Sequence, residues 1–181
     1  MPIPAGQARH VALLRGVNLG PTRKVPMAEL RGLAEGLGWS SVSTYVNSGN
    51  LLFSATGSED ALAAALGAAL ADRFGFAVPV AIRSADELRA AVAATPFGDG
   101  DPKRVCVCFL REVPDEAARE RLLAAARGEE RVEVIGRELH LHFPDGQADS
   151  VLASRLIALV GQEVATTRNL STGLALVRLL G

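Results

Sequence analysis

The chain has 181 residues, of which 49% are hydrophobic and 22% are charged, and its formal net charge is -1. This composition is enough to bury the core of one domain or of two small ones, and it excludes a disordered chain or a coiled coil. A net charge so close to zero gives no general attraction to nucleic acid or to an anionic membrane, so contact with either would need a local cluster of Arg and Lys.

The cysteines and the N-terminus predict where the protein resides. Cys106 and Cys108 stand two residues apart in an apolar run, too close for an ordinary disulfide, so a reducing cytoplasm is the expected setting. The opening sequence MPIPAGQARHVALL lacks the basic start, apolar core and cleavage site of a signal peptide. No apolar run approaches the roughly 18 residues of a membrane span. The sequence therefore predicts a soluble, unprocessed protein that does not enter membranes.

Apolar spacing and turn residues predict a strand, a helix, two strands, a helix and a strand in the first half of the chain. The predicted elements are the strand HVALLRG, a helix from Pro26 to Gly38, the hairpin STYVNSGNLLF, a helix from a Ser58 cap to Gly75, and the strand AVPVAIR. This order is that of the ferredoxin-like split βαβ unit.

A linking helix follows, SADELRAAVAAT, which begins with a capping box formed by Ser84 and Glu87. The loop TPFGDGDPK behind it is the best boundary in the chain. We expect a first unit at residues 1–94, including the linking helix, and a second unit at residues 103–181, including a C-terminal helix.

The same order of elements recurs after the loop. The predicted elements are the strand RVCVCFL, a helix from Pro114, the strands RVEVIG and ELHLHF, a helix from about Ser150 to Gly161, the short strand EVATTRN and the final helix STGLALVRLL. The sequence therefore predicts an α+β protein with two ferredoxin-like units, each an antiparallel sheet with helices on one face.

Polar residues converge on one predicted edge of the first sheet. In this topology the third strand lies between the first and the second, so the turn Asn47, Ser48 and Asn50 lies beside the exit of the first strand. That exit carries Arg15, Asn18, Arg23 and Lys24. The segment Thr166, Thr167, Arg168 and Asn169 is expected on the matching edge of the second unit.

Two interpretations of these polar residues remain open. Asn and Ser are common in turns because their side chains bond to nearby backbone. Alternatively, amides and backbone N–H groups bind the polar or anionic part of a ligand, and Arg15 and Arg168 add bidentate donors for carboxylate or phosphate. The equivalent turn of the second unit, VIGREL, contains no asparagine, so the fold can close this hairpin without one.

The stretches LLRGVNLG, KVPMAELRGLAEGLGW, VSTYVNSGNLLF and TTRN resemble the bacterial domain-of-unknown-function family numbered sixteen ninety-seven, over nearly the whole chain. The resemblance implies a fold of two ferredoxin-like halves and implies no activity. The sequence departs from the family pattern at Pro21, where a second glycine is usual, and at Leu170 and Ser171, where tryptophan and asparagine are usual.

Strand alternation also raises a metal site as an alternative. It is expected to place Val105, Val107 and Phe109 on one face with Leu139, Leu141 and Phe143. The opposite face would then hold Cys106, Cys108, His140 and His142, a conceivable zinc set whose spacing differs from the usual C-x-x-C pattern. We therefore predict no metal and no cofactor, with the cysteines packed against another layer.

Standard catalytic and nucleic-acid signatures are missing from the sequence. Ser48 has no obvious base, because His10 is expected at the far end of the first strand. The loop RGVNLGPTRK contains neither common glycine-rich nucleotide motif. Aromatic residues make up 4% of the chain, which argues against RNA binding, with Tyr45 and Phe53 as the candidates for base stacking and Trp39 expected to pack the end of the first helix.

The favoured hypothesis is a protein that binds a small anionic or nucleotide-like ligand at an Arg- and Asn-rich edge. The predicted ligand-binding residues are Arg15, Asn18, Asn47, Ser48, Asn50, Arg168 and Asn169. The alternatives are an enzyme that acts on a phosphorylated metabolite without a protein nucleophile, and a structural or partner-binding module in which the asparagines lock the fold.

Overall fold

The computed structural model describes residues 7–181, so the predictions for the N-terminal segment and for a first unit that starts at residue 1 concern residues outside this range. The described chain forms two compact units. The first contains the described residues up to Leu88 together with Leu176–Gly181, and the second contains Arg89–Ala175. The division passes within two helices, α3 (Ala85–Ala93) and α6 (Leu170–Leu180), each of which the sequence-based boundaries assign to one unit.

The first unit contains a four-stranded antiparallel sheet in the order β2-β3-β1-β4. Its elements are β1 (Ala8–Leu14), α1 (Met27–Gly36), β2 (Ser40–Tyr45), β3 (Asn50–Ala55), α2 (Glu59–Phe74) and β4 (Val80–Ser84). The third strand lies between the first and second, as the split βαβ topology predicts.

Side chains predicted to start and stop the helices do so. Ser58 accepts a hydrogen bond from the Ala61 N–H at 3.3 Å and caps α2. Gly75 ends α2 in the left-handed conformation at φ 75°, which glycine adopts without strain. Ser84 and Glu87 form the predicted capping box at α3, with Glu87 accepting from the Ser84 N–H at 2.9 Å.

Helices α1 and α2 pack on one face of this sheet. The core between them contains Leu30 and Ala34 from α1, Leu66 and Leu70 from α2, and Phe53 from β3, all completely buried. Trp39 joins this core and stacks on Phe53 with ring centroids 4.0 Å apart. The expected packing role of Trp39 is confirmed, and Phe53 is a core residue with no surface on which a base could stack.

The second unit repeats the topology. Its sheet has the order β6-β7-β5-β8 with every neighbouring pair antiparallel. Its elements are β5 (Val105–Leu110), α4 (Glu116–Ala125), β6 (Arg131–Ile135), β7 (Glu138–His142), α5 (Val151–Val160) and β8 (Ala165–Asn169). The predicted α+β fold with two ferredoxin-like units is confirmed.

The predicted distribution of side chains over the second sheet is wrong. Cys106 pairs with Leu141 and Cys108 with Leu139, and directly paired residues of antiparallel strands share a face. Both cysteines therefore lie with Leu139 and Leu141 in the core under α4 and α5. His140 pairs with Val107 on the opposite face. A register shifted by one residue relative to the expected pairing exchanges the two faces of a strand.

The turn between β2 and β3 depends on one glycine. Gly49 has φ 78°, and a Cβ atom added there would lie 2.7 Å from Leu14 Cβ and 2.8 Å from Val17 Cγ2. Both neighbours are buried, so neither can move away easily. The turn can approach the end of β1 only because residue 49 has no side chain.

We expect Gly49→Ala to lower the free energy of unfolding by about 3 kcal/mol, the combined effect of left-handed strain and overpacking. The matched control is Gly75→Ala, because Gly75 has a similar φ of 75° but no atom within 4 Å of the added Cβ. It should lose about 1 kcal/mol, the strain alone. Chemical denaturation of the three proteins checks this. Equal losses in the two variants would show that the steric contact has no effect on stability.

Two buried histidines predict acid sensitivity. His140 is completely buried, neither of its ring nitrogens has a hydrogen-bond partner, and burial lowers its pKa below 6.5. Burial also lowers the pKa of His10, against smaller opposing effects of the Ala8 carbonyl and Glu87. Because the folded state favours the neutral rings, it binds fewer protons than the unfolded state just below pH 6.5.

The contribution of these histidines to the free energy of unfolding should therefore be fully present above pH 6.5. It should fall as the pH drops from 6.5 towards their folded-state pKa values, by at most about 1.4 kcal/mol per pH unit for each histidine. In His140→Leu the free energy of unfolding should fall less steeply with pH. In His10→Leu the loss of slope should measure the part that His10 contributes. Denaturation at pH 7.5, 6 and 5 measures it. An unchanged slope in His140→Leu would mean that His140 does not titrate with unfolding.

Candidate functional site

The end of β1 and the β2–β3 turn meet, as the sequence predicts. The Leu14 N–H donates to the Gly49 carbonyl at 2.8 Å, and Leu13 pairs with Asn50 across the sheet. The loop from β1 to α1, residues 15–26, starts at this point. We call this loop and the turn at residues 46–49 the β1 exit cluster.

Asn18 holds the β1 exit cluster together. Its side-chain oxygen accepts from the Val25 N–H at 3.0 Å, and its amide nitrogen donates to the carbonyls of Val25 and Asn47, each at 2.9 Å. The backbone of Asn18 is left-handed at φ 58°, a conformation that asparagine tolerates better than most residues. Both ends of the amide are thus used inside the protein, which supports the structural interpretation for Asn18.

Asn50 organises the turn itself. Its side chain is completely buried and donates to the Tyr45 carbonyl and to Ser48 Oγ, each at 3.0 Å. Asn47 differs because its side chain is exposed, and it is its backbone carbonyl that makes the short contact with Asn18. Asn50 therefore builds the turn, and Asn47 presents its side chain to solvent.

The Arg15 guanidinium has no partner within the described residues, although it is half-buried. Its backbone N–H continues the sheet by donating to the Pro79 carbonyl at 3.0 Å. Its side chain is half-buried, and its Nε is enclosed without a hydrogen-bond partner. Among residues 7–181 no carboxylate or carbonyl pairs with this guanidinium. An enclosed donor without an acceptor is unfavourable, and the remaining N–H groups of the guanidinium are available to an external anion.

Arg23 has a different role from Arg15. Its Nε donates to the Gly16 carbonyl at 3.1 Å and its Nη2 to the Ala77 carbonyl at 2.7 Å. Its guanidinium also lies 4.8 Å from the centre of the Phe76 ring, a cation–π geometry. Arg23 therefore fastens the loop to the end of the sheet, while the neighbouring Lys24 is exposed.

The β1 exit cluster carries basic side chains and no acidic ones of its own. Residues 15–26 and 46–49 include Arg15, Arg23 and Lys24 and contain no Asp or Glu, and the nearby Glu29 of α1 pairs with Arg73. The overall charge of -1 conceals this local excess. Local basic charge attracts anions over about 8 Å at physiological salt.

Backbone strain is concentrated in the same place, which the sequence alone did not reveal. Among the described residues other than glycine, positive φ occurs at Asn18, Arg23, Ser41 and Val46, and all but Ser41 belong to the β1 exit cluster. Val46 is the most unusual, because a β-branched residue strongly disfavours its φ of 48°. Strained backbone of this kind gathers at functional sites.

The C-terminal candidates lie elsewhere in the second unit than expected. Ala165 pairs with Leu110 at the end of β5, but Arg168 pairs with Val107 in mid-strand and Asn169 with Cys106. The antiparallel direction of β8 carries these two residues away from the end of β5, so the expected placement of Arg168 and Asn169 on that edge is wrong.

Both of these side chains have structural contacts. Asn169 accepts from the Thr172 N–H at 2.9 Å and so caps the start of α6. Arg168 Nη1 donates to the Thr167 carbonyl at 2.9 Å. Burial lowers the pKa of Arg168 to about 10, with a smaller opposing effect of Cys108. Arg168 remains charged at neutral pH.

The structure does not bring the residues of the zinc alternative together. Cys106 and Cys108 lie in the core, and His140 lies on the other face of the sheet. Burial raises the pKa of Cys106 to about 11, so this cysteine stays a neutral thiol at physiological pH and lacks the charge of a good metal ligand. Within residues 7–181 no group of three or more His, Cys, Asp or Glu side chains is arranged to hold a metal ion.

Ser48 and His10 lie apart in the first unit. The Ser48 hydroxyl accepts from Asn50, and His10 pairs with Phe53 near the opposite end of β1. The His10 Nδ1 lies 2.9 Å from the Ala8 carbonyl. Nucleophilic activation needs a base within hydrogen-bond reach, so His10 does not activate Ser48.

A cleft of about 290 Å³ in the second unit contains none of the predicted site residues. It lies at the start of α5, where Ser150 caps the helix by accepting from the Ala153 N–H at 3.0 Å. Its walls carry acidic and basic side chains together, among them Arg127, Glu130, Asp145 and Asp149. The cleft thus lacks the one-signed charge of the β1 exit cluster.

Comparison with known proteins identifies relatives but no activity. Residues 8–140 match the model of a family described as protein of unknown function DUF1697. The conserved bacterial protein SP0830 from Streptococcus pneumoniae has a similar structure, with a TM-score of 0.79 and 24% sequence identity over 97% of this chain and 99% of that chain. At this identity the likeness concerns the fold alone. No curated protein matches the sequence significantly.

No helix within residues 7–181 combines the length and the hydropathy needed to cross a lipid bilayer.

We expect Asn18→Asp to lower the free energy of unfolding by about 2 to 3 kcal/mol, because it removes two donated hydrogen bonds and places a carboxylate beside two carbonyls. Asn47→Ala is the matched control. It should change stability by less than about 0.5 kcal/mol, since the exposed side chain is removed and the accepting carbonyl remains. Urea denaturation measures both. A small effect of Asn18→Asp would show that the loop is held without this amide.

Proposed function

We propose that this protein, which belongs to the DUF1697 family of unknown function, binds a small anionic ligand through Arg15 at the β1 exit cluster. The observation that carries the proposal is the enclosed Arg15 Nε without an acceptor, in a guanidinium to which residues 7–181 supply no partner. Arg presents a planar fork of donors that matches carboxylate or phosphate, so the ligand would make two parallel hydrogen bonds.

The asparagines act as a scaffold in this proposal. Asn18 and Asn50 use their amides to fix the loop and the turn, so the platform around Arg15 is formed before a ligand arrives. A preformed site loses less conformational freedom on binding. Asn47 and Ser48 remain at the border of the platform, where the Asn47 side chain is exposed to solvent. Arg168 and Asn169 are not part of the proposed site.

The length of the β1–α1 loop also supports a role in binding. Residues 15–26 connect β1 to α1, whereas residues 111–115 connect β5 to α4 at the equivalent place in the second unit. The shorter connection is sufficient for the topology. Loops much longer than the fold requires commonly carry binding functions.

A structural module is the second candidate, supported by the internal hydrogen bonds of Asn18 and Asn50. An enzyme is not favoured over simple binding, because His10 lies near the opposite end of β1 from Ser48. We further propose that the protein works in a reducing compartment such as the cytoplasm, which the two free and buried cysteines support.

Arg15→Gln should abolish anion binding and leave the free protein as stable as before or slightly more stable, because the enclosed donor has no partner to lose. Thermal shift against inorganic phosphate, acetate and a panel of phosphorylated and carboxylated metabolites tests this. A ligand at a hundred times its dissociation constant stabilises the native state by about 2.7 kcal/mol, which the assay detects.

The control is Arg178→Gln, which removes the same charge from the exposed end of α6. The neighbouring Leu179 carbonyl accepts from Arg9 near the start of β1, at the opposite end of the strand from Arg15. This variant should bind as the wild type does. A wild type without any hit, together with a clearly destabilised Arg15→Gln, would reject ligand binding in favour of the structural module.

A further inference from the structure

Two exposed apolar residues of the β1 exit cluster, Leu19 and Val46, contribute little to the fold. Leu19 is 85% exposed, the largest value among the large hydrophobic side chains of residues 7–181. Val46 is 52% exposed and has the disfavoured φ of 48°. Leu19 gains almost no burial, and glycine or asparagine would suit the backbone of Val46 better. The fold therefore explains neither residue.

Hydrogen bonds between their chain neighbours tie together the segments that carry Leu19, Val46 and Arg15. Leu19 follows Asn18 and Val46 precedes Asn47, and the Asn18 amide bonds to the Asn47 carbonyl at 2.9 Å. Arg15 begins the same loop, and the turn is tied to the preceding residue by the bond from the Leu14 N–H to the Gly49 carbonyl. The β1 exit cluster thus contains an unpaired cation and two exposed aliphatic side chains on segments that these bonds tie together.

We infer that the ligand is an amphipathic anion, a carboxylate or phosphate monoester that carries an aliphatic or aromatic group of several carbons. This inference rests on the proposed function of Arg15 and adds the class of ligand. The anionic group pairs with the Arg15 guanidinium, and the apolar group covers Leu19 and Val46. Covering aliphatic surface is favourable in proportion to the area removed from water.

Charge limits the ligand further. Arg23 already donates to two carbonyls, so Arg15 and the exposed Lys24 are the cations of the β1 exit cluster that remain for a ligand. A ligand with one or two negative charges satisfies them. A polyanion would place further charges beside aliphatic side chains, where they lose hydration without gaining partners.

Calorimetric titration with two series of anions tests the inference. The first series is acetate, butyrate and hexanoate, and the second is inorganic phosphate, butyl phosphate and hexyl phosphate. In the wild type the dissociation constant should fall at least about tenfold from the shortest to the longest member, the effect of roughly two buried methylene groups. Arg15→Gln should bind none of them.

Two variants separate the apolar contact from the charge. Leu19→Ser and Val46→Asn should bind acetate and phosphate as the wild type does but lose the tightening with chain length. Val46→Asn should also raise the melting temperature, because asparagine tolerates positive φ. Leu123→Ser, which changes a 61% exposed leucine of the second unit, is the matched control and should behave as the wild type.

The source of such an anion is distinguished by vesicles that contain phosphatidic acid, a lipid whose headgroup is a phosphate monoester. Sedimentation of the wild type but not of Leu19→Ser with these vesicles would support a membrane lipid as the source. Binding of hexyl phosphate without sedimentation would support a free small molecule.

Three outcomes overturn the inference. If every member of a series binds equally and Arg15→Gln binds none, the apolar part is wrong while anion binding at Arg15 stands. If chain length tightens binding equally in Leu19→Ser and Val46→Asn, the apolar contact lies elsewhere. If the wild type binds no anion of either series or of the metabolite panel, both the inference and the proposed function are wrong.

Discussion

The close approach of the β2–β3 turn to the end of β1 is the constraint on which the first unit depends. The Leu14 N–H bonds to the Gly49 carbonyl at 2.8 Å, and there is no room for a side chain at residue 49 between Leu14 and Val17. This contact ends the sheet at a defined point and brings the turn against the β1–α1 loop. The bond from Asn18 to Asn47 is possible only because the two segments are already this close.

The polar residues of the β1 exit cluster divide into those that satisfy one another and one that does not. The amides of Asn18 and Asn50 and the guanidinium of Arg23 all bond to backbone carbonyls nearby. These bonds add to the burial of Val17 and Val25, which anchor the loop in the core. Arg15 sits on the same platform with an enclosed nitrogen and no acceptor. An enclosed donor without an acceptor costs stability.

Local signals predicted the elements well because the physics that fixes them is local. The Ser58 cap, the Ser84 and Glu87 capping box and the glycine at residue 75 act within a few residues of the backbone they stabilise. Strand register is different, since it depends on pairing with a distant segment. The expected grouping of Cys106 with His140 failed for that reason, and so did the placement of Arg168 along β8. The strain at Val46 and the exposure of Leu19 are likewise tertiary properties that no motif encodes.

Comparison of the two units distinguishes the features that the topology requires from those that occur only in the first unit. In the second unit the Leu110 N–H bonds to the Arg137 carbonyl at 3.0 Å, which is the same closure that Leu14 and Gly49 make. It forms without an asparagine in the turn and with a much shorter loop after β5. The amides of the first unit are therefore not needed to close a hairpin. The Asn18 amide instead holds the long basic loop against the turn, and that loop carries both the unpaired arginine and the exposed leucine.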